Sequence, residues 1–90
     1  MRIWKSPIRP HAKHGKTWRV EIPAPRGSRV VSAAMQNGQP TVWFEVDPNE
    51  LDDVLIVYAV GTGCGDVPPG TRFIATFTEN SLVWHIYAEK

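Results

Sequence analysis

The chain has 90 residues, 42% hydrophobic and 21% charged, with ten Lys and Arg against nine Asp and Glu. That length makes one domain, residues 1–90, and so short a chain buries only about 60% of the surface its unfolded form exposes. The composition excludes a disordered chain, and a net charge of +1 excludes a general electrostatic pull toward long nucleic acid or an anionic membrane.

The first stretch, MRIWKSP, reads as a strand over residues 2–6. Prolines at 7 and 10 interrupt it, and no apolar core of signal-peptide length follows. PIRPHAKHGK, residues 7–16, reads as an exposed basic loop. TWRVEIP then alternates, with Trp18, Val20 and Ile22 on one face and Thr17, Arg19 and Glu21 on the other, which predicts a strand over 17–22. Before residue 30, eight Lys and Arg face only Glu21, so the N-terminal third is basic and suits an anionic ligand.

The clearest local signal is SRVVSAAMQNGQPTVWFEVD. Asn37-Gly38 predicts a type I′ turn between strands at 28–36 and 40–47, because both central residues need positive φ. A two-residue loop sets Gln36 against Gln39, and the same register sets Ala33 against Val42, Val31 against Phe44, Val30 against Glu45 and Ser32 against Trp43. Trp43 then points away from the Val42, Phe44 and Val46 face, which makes it a candidate second interface or stacking platform. DPNELDD, residues 47–53, is expected to be one helical turn or a loop.

VLIVYAV predicts a strand over 54–60 that is apolar on both faces. GTGCGD follows. It does not complete a G-x-G-x-x-G fingerprint, since Asp66 stands where the last glycine belongs, and Pro68-Pro69 forbid the helix such a site needs. A glycine-rich turn still lets backbone N–H groups approach a ligand closely. TRFIATFTENSLVWHIYA predicts a hairpin of strands 71–79 and 82–88 turning at Asn80-Ser81. Its register opposes Phe77 to Trp84, Ala75 to Ile86, Thr76 to His85 and Ile74 to Tyr87. The whole is expected to be all-β, a small antiparallel sandwich or partly closed barrel of six or seven strands with at most one short helical turn. Apolar groups on both faces of several strands suggest a homo-oligomer.

Chemistry-bearing motifs are sparse. Cys64 has no histidine at a spacing that would activate it, and a single cysteine is expected in a reducing cytoplasm. His11-x-x-His14 lacks a third ligand in its lysine-rich loop, so no metal and no other cofactor is expected. No run approaches the roughly 18 apolar residues of a membrane helix. Four tryptophans bring mostly core area, yet aromatic stacking with arginine to phosphate also holds a nucleotide.

The ordered set IWK, IPAPRGSRVVSAAMQNGQPTVWFEVDP, VYAVGTGCGDVP, RFIATF and VWHIY resembles a family of short bacteriophage proteins that carries a domain-of-unknown-function label. Nearly the whole chain is covered. Phe44-Glu45 stand where the family has a smaller apolar pair, and the loop PIRPHAKHGKT is longer and more basic. The resemblance implies an all-β fold and a phage origin, acting in the host cell cytoplasm. By analogy with small phage proteins that sequester cyclic nucleotide or cyclic ADP-ribose messengers, it implies a non-enzymatic antagonist of host defence.

The expected site for a small anionic nucleotide combines Arg19, Arg26 and Arg29 on phosphate, Trp43, Tyr58 and His85 on the base, and the backbone of Gly61, Thr62 and Gly63 closing over it, with no catalytic residue. A phage structural or protein-binding accessory protein is the alternative. A hydrolase pairing Asp47 or Asp66 with His85 is a third reading.

Overall fold

The computed structural model describes residues 1–9, 17–63, 65–79 and 81–90. Cys64, Asn80, His11 and His14, with the rest of 10–16, lie outside the described residues, and so do the expectations that fall on them. Seven strands are present: β1 Arg2–Pro7, β2 Trp18–Pro25, β3 Arg29–Gln36, β4 Gln39–Val46, β5 Asp52–Gly61, β6 Thr71–Glu79 and β7 Leu82–Glu89. They form two antiparallel sheets. The first has order β1-β4-β3 and the second β2-β5-β7-β6, and they are not closed into a barrel. The expected all-β sandwich is therefore the fold.

Alternation places the core. Val30, Ala33, Val42, Phe44 and Val46 from the three-stranded sheet face Ile22, Ala24, Val57, Ala59, Trp84, Ile86 and Ala88 from the four-stranded one. Each fully buried Val, Ile or Phe contributes roughly 1.5–3 kcal/mol of transfer free energy. On the β3/β6 side the sheets are tied by Arg72, whose Nη2 donates to the Val30 carbonyl. On the opposite side, among the described residues, no ladder joins β1 to β2.

The Asn37-Gly38 turn forms as expected, with φ of 52° and 74° and Gln36 opposite Gln39. The expected register holds through Ser32 opposite Trp43 and then breaks. A bulge at Val31 sets Val30, not Val31, against Phe44, and Arg29, not Val30, against Glu45. Val30 is thereby buried and Val31 turned to solvent. The extra residue of a bulge flips the face of everything beyond it. A second bulge at Ile74 does the same in β6. Phe73, not Ile74, opposes Tyr87, while Ala75, Thr76 and Phe77 keep their expected partners.

One further expectation is corrected. Pro7 belongs to β1, and Ile8 is core rather than exposed loop. Its N–H donates to the Pro40 carbonyl at 2.8 Å and its carbonyl accepts from Gln39 Nε2 at 2.8 Å, so paired backbone makes burial of this apolar side chain possible. In DPNELDD the expected alternative of a loop holds: residues 47–50 form a turn without a helix. Asp47 Oδ1 accepts the Asn49 N–H at 3.0 Å and the Asp47 carbonyl accepts the Glu50 N–H at 3.0 Å, a side-chain-supported turn typical of Asp before Pro.

Candidate functional site on the outer face of the four-stranded sheet

In the four-stranded sheet, Trp18, Val20, Ile22, Val57, Ala59, Trp84 and Ile86 turn inward, so the residues between them face out. The ladders align those outward residues into rows. Arg19 opposes Tyr58, Tyr58 opposes Tyr87, and Tyr87 opposes Phe73, which lines a guanidinium and three aromatic rings across all four strands. The Phe73 and Tyr87 rings meet edge to face, centroids 5.7 Å apart at 72°. The next row is Val60, His85 and Thr76.

His85 is held at both ring nitrogens. Thr62 Oγ1 lies 2.7 Å from Nε2 and Thr76 Oγ1 lies 2.9 Å from Nδ1. In the neutral ring one nitrogen donates and the other accepts, and the rotatable hydroxyls answer either tautomer. In the imidazolium both nitrogens donate to hydroxyl oxygens. The ring is thus positioned whatever its charge. Neither nitrogen pairs with Asp47 or Asp66, so the expected carboxylate–histidine pair of a hydrolase is not formed.

Arg19 Nη1 donates to Glu21 Oε2 at 2.8 Å, with both side chains 54% exposed. That hydrogen bond, with smaller help from the Tyr58 hydroxyl, raises the guanidinium above its ordinary value. Solvent screens so exposed a pair, and an incoming anion can compete with Glu21 for Arg19.

The glycine segment borders this face. Gly61 ends β5, opposite Trp84 and buried, while Thr62 and Gly63 are exposed. Thr62 N–H donates to the Val83 carbonyl at 3.1 Å, and Thr17 Oγ1 donates to the Asp66 carbonyl. These two anchors hold the segment against the ends of β7 and β2. Gly63 has φ of 74°, a backbone that favours glycine.

Six of the nine expected ligand residues therefore share one face or its border: Arg19, Tyr58, Gly61, Thr62, Gly63 and His85. The other three do not join them. Trp43 is half-buried on the outer face of the other sheet, between Lys5 and Ser32. Arg29 is on that sheet opposite Glu45, and Arg26 follows β2 with its N–H on the Leu51 carbonyl at 2.7 Å. Sequence reasoning missed Phe73, Tyr87 and Thr76. The Thr76–His85 pairing was available from the hairpin register; Phe73 was hidden by the Ile74 bulge.

Among the described residues, no group of three or more His, Cys, Asp or Glu is placed to hold a metal ion, and no helix is long and apolar enough to cross a membrane. No curated protein and no solved structure matches the chain. Over residues 1–90 it matches the family model described as Domain of unknown function (DUF7352), and the chain belongs to that family.

Proposed function

We propose that this protein binds without catalysis, sequestering a small anionic nucleotide of the cyclic-messenger class on the outer face of the four-stranded sheet. In this reading it is a phage-encoded antagonist of host defence. The observation that supports it is the row Arg19, Tyr58, Tyr87, Phe73. A guanidinium at one end of an aromatic row suits a phosphate beside a stacked base, and each such stack is worth about 1–3 kcal/mol. Thr62 and Thr76, fixed by His85, offer hydroxyls to base or ribose, and the Gly63 backbone is free to approach. Phe73 and Val83 are exposed on β6 and β7, on the same face as Tyr87 and His85, and a second copy covering them would enclose the ligand.

A thermal-shift screen with cyclic dinucleotides and cyclic ADP-ribose isomers tests the proposal. A bound ligand at about 100 times its Kd should stabilise the fold by about 2.7 kcal/mol. Arg19→Ala and Tyr58→Ala should each weaken binding about tenfold or more in calorimetry. No shift with any of these ligands overturns the reading. The alternative, a phage structural or protein-binding accessory protein, is favoured by a separate observation: Trp4, on the core side of the edge strand β1, is 39% exposed.

A further inference from the structure

The β1/β2 side of the sandwich carries a groove of about 350 Å³ lined by Trp4, Pro23, Ala24, Pro25, Pro48, Asp52 and Asp53. Its composition is unlike that of the outer face already described. Trp4 opposes Phe44 and so lies on the core side of β1, yet it remains 39% exposed, and among the described residues no strand joins β1 to β2. Three prolines stiffen the walls, with φ fixed and no N–H to satisfy. The acids come from the start of β5, where Asp52 opposes Pro25 and Asp53 opposes Ala24. Asp53 Oδ1 accepts the Val54 N–H at 2.8 Å. Among the described residues the one ion pair within 4 Å is Arg19–Glu21, and neither groove carboxylate has a cationic partner among those residues.

We propose that this groove docks an extended basic segment of a partner protein, with an arginine or lysine side chain lying along Trp4 and its charge on Asp52 and Asp53. The occupant follows from charge complementarity. An indole beside two carboxylates attracts a cation through both the ring quadrupole and the ionic contact, while the apolar stem of Arg or Lys matches the proline walls. The volume suits one long side chain rather than a folded surface. An extended backbone fits because β1 is an edge strand, and its outer edge is where another chain adds. On β2, Pro23 and Pro25 supply no N–H to such a ladder, so β1 is the pairing side. Rigid walls also reduce the ordering cost of binding.

The test uses two fluorescein-labelled decapeptides, one alternating Pro and Arg and the other alternating Pro and Glu, titrated with the intact protein by fluorescence polarisation. The Pro-Arg peptide should bind saturably, weaken about tenfold or more in the double variant D52N/D53N, and weaken again at about 0.5 M salt. The indole N–H resonance of Trp4 should shift at saturation, and the dispersed amide spectrum of D52N/D53N should show that the fold is kept. Equal affinity for the Pro-Glu peptide, equal affinity of D52N/D53N, an unmoved Trp4 resonance or absence of saturable binding each overturns the proposal. Cyclic nucleotides should not displace the peptide, since the two sites use different residues; displacement would place the peptide on the outer face and also overturn it.

Discussion

Asn37 and Gly38 show how a local rule becomes a global constraint. Both sit at positive φ, 52° and 74°, as a type I′ turn requires. Nothing lies within 4 Å of where a Gly38 Cβ would stand, so Gly38→Ala meets no steric clash. Its cost is backbone strain alone, about 1–2 kcal/mol. Asn37→Gly relieves the same strain at the other position and should stay within about 0.5 kcal/mol of the parent. Urea unfolding of the two variants checks this pair, and a larger loss for Asn37→Gly would mean that the asparagine side chain holds the turn. Arg72 teaches a different lesson at this scale. Burial first, and nearby Arg29 second, lower its pKa from the ordinary arginine value. Its place is explained by the Val30 carbonyl it reaches across the sheets, a role no spacing rule in the sequence announces.

At the scale of strands, local pairings were legible and distant ones were not. All seven strands follow from alternation and from Gly, Pro and Asn punctuation, and both hairpin pairings, β3 with β4 and β6 with β7, are the expected ones. The β1–β4, β2–β5 and β5–β7 ladders join segments far apart in sequence, so nothing local sets their register. The aromatic row is therefore not legible in the sequence: Arg19 meets Tyr58, and Tyr58 meets Tyr87, only through those ladders. For the same reason the sequence does not separate Trp43 and Arg29, which stand on the other sheet, or Arg26, which lies past the end of β2, from the residues of this face. The bulges at Val31 and Ile74 were illegible for another reason. An extra residue leaves the composition of a strand unchanged and alters only which face each side chain takes. The bulge at Val31 makes a sharp prediction. Val30→Ala removes two buried methyl groups and should cost about 2 kcal/mol, whereas exposed Val31→Ala should fall within about 0.5 kcal/mol of the parent. Chemical denaturation of the two single variants distinguishes the bulged register from a regular one, in which the order of the two effects would reverse.

For the molecule as a whole, the question is whether two sheets make one cooperative unit. The Cα radius of gyration is 12.8 Å, close to the roughly 12 Å that scaling gives for a compact chain of this length. Neither sheet carries a core of its own. The three-stranded sheet buries Val30, Ala33, Val42, Phe44 and Val46 against the four-stranded one, and separation would expose that face to water. At about 25 cal/mol per Å² of apolar surface, that exposure opposes separation of the sheets. The tryptophans happen to report on both halves: Trp4 and Trp43 stand on the first sheet, Trp18 and Trp84 on the second. Protein labelled with 5-fluorotryptophan should therefore show all four fluorine resonances disappearing at one urea midpoint. A separate, earlier midpoint for Trp4 and Trp43 would mean that the first sheet detaches while the second persists, with Arg72 and the β3/β6 contact too weak to couple them. One shared midpoint would also bear on binding, because a ligand on the outer face of the four-stranded sheet would then stabilise β1 and the groove beside it through the common core.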